Sequence, residues 1–161
     1  MRRRRVLAAT ASGCALALAG CFSNAETESP RSVVRAYLEA EHDEGDREAM
    51  AALLHSESPL DPTAGDESLD PRNVEIDTIS VERRSLPAER IASLDMGLDA
   101  ETAATIGERE NALVEATYET DPPELPDDSG GTDPSGRIVV QTTYLTAMEG
   151  NDWLVVTFQL L

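Results

Sequence analysis

The stretch RIVVQTTYLTAMEGNDWLVVTFQL, residues 137–160, decides the fold class. It contains two long runs rich in Val, Thr, Tyr and Phe, which are residue types that favour β-strands. Gly150 and Asn151 lie midway between the runs, as the tight turn of a β-hairpin requires. The sequence therefore predicts strands over 137–148 and 153–160, with Met148 opposite Trp153.

This register divides the side chains of the hairpin between two faces. One face is predicted to carry Tyr144, Met148, Trp153 and Val155, together with Ile138 and Val140. The other is predicted to carry Leu145, Ala147, Leu154, Val156, Phe158 and Leu160. Because both faces are apolar, both need a cover. We expect one face to meet helices and the other to close a pocket or a dimer contact, and the alternative is packing against residues 88–107 or a long acidic loop.

A helical hairpin is predicted upstream, in SPRSVVRAYLEAEHDEGDREAMAALL, residues 29–54. Ser29 followed by Pro30 is a strong helix start, and apolar residues follow at helical spacing. Gly45 is expected to end this helix, and Asp46 is expected to cap a second one.

The middle of the chain alternates between strand and helix patterns. Residues 73–83 predict a strand whose alternation shifts near Thr78, which indicates a bulge. Residues 88–107 predict a helix in two pieces around Gly97, with Asp99 as the cap of the second piece. A further strand is predicted over 111–120. The fold class is therefore α+β, with a helical hairpin and a further helix packed on a curved antiparallel sheet of about four strands.

The charge of the chain is strongly negative and unevenly distributed. Its 161 residues suit one domain, with 31 acidic residues against 13 basic ones, all arginine. Four arginines precede Val6 and every acidic residue follows Cys21, so nine basic residues face 31 acidic ones there, a net charge of −22. Such a surface repels nucleic acid. The composition resembles that of proteins from salt-loving archaea, and the alternative is an ordinary acidic protein from a GC-rich genome.

Residues 1–20 have the pattern of a signal peptide. A basic start is followed by a mildly apolar run over 6–20, which is too short to span a bilayer comfortably. The arginines, with Arg3 and Arg4 as the candidate pair, resemble a twin-arginine export signal. General secretion is the alternative route.

Cys21 ends the motif Leu18-Ala19-Gly20-Cys21, which resembles a lipobox. The resemblance implies cleavage before Cys21 and a lipid on its thiol, which would anchor the chain in the cell membrane, facing the exterior. The alternative is a chance cysteine in an ordinary signal peptide. Residues 22–28 are then a tether of at most about 25 Å, and residues 29–161 form the domain.

The order of elements, with the helical hairpin at 29–54 and the ending YLTAMEGNDWLVVTF, resembles the nuclear-transport-factor-2-like superfamily, also called cystatin-like. The resemblance covers residues 29–161 and implies a cone-shaped sheet wrapped around helices. Many members are binding or interaction modules. A minority are enzymes such as ketosteroid isomerases and polyketide cyclases, so the fold alone does not give the function.

Two functions follow from this resemblance. The first is a non-catalytic module that binds a small apolar ligand, an envelope protein or a second copy of the chain, with Tyr144, Met148, Trp153 and Val155 as contact residues. The alternative is a small isomerase or dehydratase that uses Tyr37 on the first helix and a carboxylate inside the cone. The two histidines have no metal-ligand spacing, so we expect neither metal nor cofactor.

Overall fold

A computed structural model describes residues 24–64, 72–122 and 136–161. Its helical elements are α1 (Asn24–Thr27), α2 (Pro30–Glu39), a π-helical turn (Ala40–Glu44), α3 (Arg47–Ala52), α4 (Ala88–Ala92) and α5 (Ala100–Gly107). Its strands are β1 (Val74–Arg84), β2 (Asn111–Thr120), β3 (Ile138–Glu149) and β4 (Asp152–Leu160). The strands form one antiparallel sheet in the order β1-β2-β3-β4, which confirms the predicted fold class.

The helical hairpin begins and turns at the predicted residues. The Ser29 hydroxyl accepts the Ser32 backbone N–H at 3.1 Å, and the Ser32 hydroxyl accepts the Ser29 N–H at 3.0 Å. This reciprocal capping box satisfies two N–H groups that the first turn of α2 would otherwise leave unpaired. Gly45 takes a left-handed φ of 58° after the π-helical turn, and Asp46 accepts the Ala49 N–H at 2.9 Å.

The helices between β1 and β2 also begin where predicted. The Asp99 carboxylate accepts the Thr102 N–H at 2.8 Å at the start of α5. Gly97 separates this helix from α4 with a positive φ of 72°. The pairing of β1 with β2 shifts between Ile76 and Thr78, as predicted, and again between Val81 and Arg83.

The β3–β4 hairpin has the predicted turn but an additional bulge. Met148 pairs with Trp153, and Gly150 has a φ of 66°. The pairing then shifts by one residue beyond Thr146, so that Phe158 lies opposite Tyr144. The prediction that Phe158 and Leu160 share the face of Leu145 is therefore wrong, because one extra residue in a strand reverses the alternation that follows it.

Both faces of the sheet are covered by helices of the same chain. The first core lies between the sheet and the helical hairpin, and it contains Val33, Val34, Tyr37, Leu38, Met50, Leu53, Val114, Tyr118, Tyr144, Trp153 and Val155. The second core lies under α4 and α5, and it contains Leu86, Ile91, Met96, Ala103, Ile106, Leu113, Leu145, Ala147 and Val156. In the described part of the chain, helices therefore cover both faces, so neither face is left exposed, as a dimer contact there would require.

The structure differs from the prediction in the second half of the tether, residues 22–28. Residues 24–27 form the helical turn α1, and the buried Thr27 hydroxyl donates to Asp152 Oδ1 at 2.6 Å. Because this contact joins α1 to the start of β4, residues 24–27 pack on the domain instead of spanning a gap. Arg3, Arg4, Cys21 and the greater part of the two acidic loops lie outside the described residues.

Candidate functional site

Tyr37 lies inside the first core, where α2 crosses the sheet. Its side chain is only 2% exposed. The ring meets Tyr144 edge-on at a centroid distance of 6.2 Å and lies 6.1 Å from the ring of Phe158. The bulge in β4 brings Phe158 to this face, and its ring lies 5.5 Å from that of Tyr144. Three aromatic rings therefore converge from one helix and two strands.

Glu41 brings a carboxyl group to the same region. It lies one helical turn beyond Tyr37, in the π-helical turn, and its side chain is 27% exposed. Burial raises the pKa of this carboxyl, and the positive charge of Arg72 opposes that rise. Its Oε2 lies 3.8 Å from His42 Nε2, and the His42 ring lies 5.3 Å from that of Tyr118. π-helical turns are rare and often occur at functional sites.

Three tyrosine hydroxyls interact electrostatically with this carboxyl. Burial raises the pKa of Tyr37, Tyr118 and Tyr144, and the nearby charge of Glu41 raises each pKa further. The three phenols therefore remain protonated at all ordinary pH values. Each can donate a hydrogen bond, and none can act as a base.

Two buried hydroxyls near these tyrosines have no hydrogen-bond partner among the described residues. They belong to Thr120 and Thr142, which are 5% and 0% exposed. The Thr142 hydroxyl lies near enough to Tyr118 and Tyr144 to lower the pKa of each, but it makes a well-formed hydrogen bond with neither. Leaving a buried hydroxyl unpaired costs roughly 1 to 3 kcal/mol, so such groups are uncommon in a core that serves packing alone.

These groups form a polar cluster within an apolar core, and we name it the tyrosine–glutamate cluster: Tyr37, Glu41, Tyr118, Thr142 and Tyr144. It combines neutral hydroxyl donors, an unpaired hydroxyl and a carboxyl whose proton is held more tightly than usual. Such a set can hold the carbonyl or hydroxyl group of a ligand whose remaining surface is apolar.

The four predicted contact residues share one face, but they lie inside the chain. Tyr144, Trp153 and Val155 are 1%, 6% and 0% exposed, and Met148 is partly buried. The guanidinium carbon of Arg84 lies 5.7 Å from the centroid of the Trp153 ring and covers it from outside. The prediction that these residues form an exposed contact surface is therefore wrong, because helices α2 and α3 pack on that face.

The two histidines are far from forming a metal site. His55 is 2% exposed, its Nδ1 accepts the Glu57 N–H at 3.0 Å, and its Nε2 lies 3.0 Å from Arg109 Nη1. His42 belongs to the surroundings of Glu41. Within residues 24–64, 72–122 and 136–161, no group of three or more His, Cys, Asp or Glu side chains could hold a metal ion. In the same residues, no helix has the length and apolar character needed to cross a membrane.

Comparison with known proteins identifies no relative of this chain. No family model, curated protein or solved structure that was compared with the chain matches it. The resemblance to the nuclear-transport-factor-2-like superfamily therefore stays a prediction, and the candidate site depends on its own geometry.

Glu41 was not predicted as a site residue from the sequence, although the sequence contains a signal for it. The apolar stripe of α2 contains Val33, Val34, Tyr37 and Leu38, and the next position at helical spacing is Glu41. A carboxylate that continues a buried stripe is a candidate for a perturbed pKa.

Proposed function

We propose that this chain is a membrane-anchored extracytoplasmic lipoprotein whose α+β domain binds a small ligand without transforming it. The ligand is apolar with one carbonyl or hydroxyl group, and it occupies the tyrosine–glutamate cluster. One observation carries the proposal: the Thr142 hydroxyl is fully buried and unpaired beside two protonated tyrosines, Tyr118 and Tyr144. A ligand oxygen would complete the hydrogen bonding that the chain leaves open.

The apolar surroundings of the cluster set the rest of the ligand's chemistry. Phe158 and the partly buried Val140 pack against the same core and offer contacts to carbon only. Since the pKa of Glu41 is raised by burial, an uncharged ligand fits this environment better than an anion. An envelope protein or a second copy of the chain stays a proposed partner that the described surface does not identify.

The ligand can be tested by mass spectrometry of the protein purified from its own membrane under native conditions. We expect a bound small molecule that is lost when Thr142 is changed to Val. Thr143 is adjacent on β3 and lies on the opposite face, so Thr143→Val is the matched control and should retain the ligand. The proposal is contradicted if the same molecule is found bound to both variants, or if the wild-type protein carries no ligand.

The anchor is tested separately. Cys21→Ser should abolish lipidation and leave unprocessed precursor or released protein, because the thiol is the group that the lipid would modify. Each buried methylene of a lipid chain contributes about 0.8 kcal/mol to membrane binding, so the loss is measurable by membrane fractionation. A Cys21→Ser protein that is fully processed and still sediments with membranes contradicts the lipobox.

A second function, acid–base catalysis of isomerase or dehydratase type, is favoured by the position of Glu41. This carboxyl has a raised pKa and acts electrostatically on Tyr37, so the pair offers a proton carrier beside a hydroxyl donor. If the domain turns over a steroid-like or polyketide-like substrate, and Tyr37→Phe and Glu41→Gln both stop the reaction, catalysis replaces simple binding. Turnover that survives both changes excludes this pair as its source.

A further inference from the structure

An open cavity of about 450 Å³ lies where the start of α2 faces the end of β1. It is lined by Ser29, Pro30, Arg31, Val81, Glu82, Arg83 and Arg84. Three of these residues are arginines, although the chain beyond Cys21 carries only nine arginines against 31 acidic residues. A third of the positive charge therefore surrounds one cavity on a strongly acidic protein.

The three guanidinium groups are available to a ligand. Arg31, Arg83 and Arg84 are exposed, and none of them forms an ion pair with another described residue. Arg137, by contrast, is engaged by three carboxylates. Glu82 supplies the one carboxylate of the lining, and it accepts the Ser80 hydroxyl at 2.6 Å. Positive charge therefore exceeds negative charge in the cavity by two.

The cavity lies at the end of the domain where the chain arrives from Cys21. Arg84 covers the ring of Trp153. Asp152, the residue before Trp153, accepts the hydrogen bond from Thr27 of α1. Cys21 is three residues before the start of α1, which bounds the distance between them to about 11 Å. A lipid on Cys21 would therefore place this end of the domain against the membrane surface.

The tyrosine–glutamate cluster begins near this end of the sheet and extends away from it, since Tyr144 pairs with Val114 and Thr142 pairs with Ala116. Arg84 pairs with Ala112 at the beginning of β2, whereas Tyr118 is six residues further along the same strand. That separation is about 20 Å at the rise of a β-strand. A membrane bound at the arginine cavity would leave Tyr118 as the part of the cluster in the sheet that lies farthest from the bilayer.

We propose that the arginine cavity binds the phosphate of a membrane lipid headgroup and so fixes the orientation of the domain. Guanidinium groups match phosphate oxygens in geometry and charge, and they keep their charge at every physiological pH. The cavity also offsets the repulsion between an acidic domain and an anionic membrane. Each arginine near such a surface strengthens binding about fivefold. The proposal rests on the proposed lipid anchor for its choice of lipid over free phosphate.

Trp153 makes the proposal measurable, because it is the single tryptophan of the chain and lies beneath Arg84. The protein purified from its membrane is incorporated into phosphatidylcholine vesicles that contain a nitroxide-labelled headgroup lipid, with or without phosphatidylglycerol. Quenching of Trp153 fluorescence then reports how near the cavity lies to the headgroups. Three forms are compared: wild type, Arg31→Gln/Arg83→Gln, and Arg90→Gln, whose exposed arginine on α4 lies outside the cavity. Arg84 is kept so that the tryptophan environment does not change.

We expect phosphatidylglycerol to increase quenching in the wild type and in Arg90→Gln, and to have little effect in the double variant. Equal quenching in all three forms, or an equal loss in Arg90→Gln, overturns the proposal. If inorganic phosphate abolishes the phosphatidylglycerol effect at millimolar concentration, the cavity is a site for free phosphate and the lipid assignment is wrong. The mass of the peptide that contains Cys21 shows whether this residue carries a lipid, independently of the quenching result. If the peptide carries no lipid, vesicles added to the same protein still test whether the two arginines matter.

Discussion

Nη1 of Arg109 lies 3.0 Å from Nε2 of His55, a ring that is only 2% exposed. The other ring nitrogen, Nδ1, already accepts the backbone N–H of Glu57. Burial lowers the pKa of His55, and so does the Arg109 charge, while Glu149, Glu57 and the Met148 carbonyl act in the opposite direction. The folded domain therefore favours a neutral imidazole, which can accept a hydrogen bond from one of these two donors, whereas a doubly protonated ring can accept from neither.

The first prediction is that His55 makes stability fall as the pH is lowered from about 7 toward 5. An unfolded histidine takes up a proton near pH 6.5, whereas the folded one does so only at lower pH. The unfolded state then binds more protons, so acidification lowers the free energy of unfolding, by at most about 1.4 kcal/mol per pH unit for one group. Thermal unfolding of wild type, His55→Asn and His42→Asn across this range measures it. The slope should persist in His42→Asn and shrink in His55→Asn, and the reverse result would contradict the assignment.

The second prediction concerns Glu41, whose pKa is raised by burial. Folding must keep its proton at a pH where the unfolded chain releases it, so the carboxyl costs stability as the pH rises above about 4.5. Glu41→Gln removes this cost. The variant should therefore have a larger free energy of unfolding than wild type at pH 7, and it should unfold at a higher temperature. The free energy should increase by about 1.4 kcal/mol for each unit by which the folded pKa exceeds the unfolded one.

The control for Glu41 is Glu108→Gln, at an exposed position after α5. Measured in about 1 M potassium chloride, where surface repulsion is screened, it should change the midpoint little at either pH. At pH 4 the advantage of Glu41→Gln should disappear, since both states of the wild type are then largely protonated at this residue. A stabilisation that is equal at pH 4 and pH 7 would show that the desolvated charge is not its cause.

Local chemistry made much of this fold predictable. The caps at Ser29, Asp46 and Asp99 each depend on a side chain and a backbone N–H only three residues away, so the sequence contains the whole interaction. The pairing of Met148 with Trp153 follows equally from the two-residue turn between them.

The features that were predicted wrongly, or not at all, depend on contacts between distant parts of the chain. No residue type marks the bulge that moves Phe158 to the face of Tyr144, since it arises from the fit of β4 to β3 and the helices. The sequence NAET offers no apolar stripe, and α1 is joined to the domain by Thr27 and Asp152, 125 residues apart. The arginine cavity likewise joins Arg31 to Arg83 and Arg84 across two elements. Among these missed features, only Glu41 could have been recognised from the local sequence, because it continues the apolar stripe of α2 at helical spacing.

The third prediction is that Trp153 contributes to stability as a core residue. Its ring is 6% exposed and belongs to the first core, so Trp153→Ala should cost about 3 to 5 kcal/mol. Leu160 is 63% exposed, and Leu160→Ala should stay within about 0.5 kcal/mol of wild type. Urea unfolding followed by far-ultraviolet circular dichroism compares them without relying on the lost tryptophan. A Trp153→Ala protein as stable as wild type would restore the hypothesis of a contact surface at this residue.

The fourth prediction is that the domain needs salt. The chain beyond Cys21 carries a net charge of −22, and a single cation, Arg137, is shared by Glu75, Glu119 and Asp121. Raising potassium chloride from about 0.1 M to about 1 M shortens the Debye length from about 10 Å to about 3 Å. Screening weakens those ion pairs too, but repulsion among the excess carboxylates is the larger effect, so the midpoint of thermal unfolding should rise.

A charge-removing variant separates screening from other effects of salt. Asp95 and Glu108 are exposed, and neither has a hydrogen-bond or ion-pair partner among the described side chains. Asp95→Asn/Glu108→Gln should raise the midpoint at about 0.1 M salt and leave it nearly unchanged at about 1 M, where the repulsion is already screened. Chloride is the appropriate anion, because sulfate stabilises folded proteins through exclusion from their surface as well. If wild type melts at the same or a higher temperature in dilute salt, its acidity is not an adaptation to brine, and the alternative of an ordinary acidic protein is the better explanation.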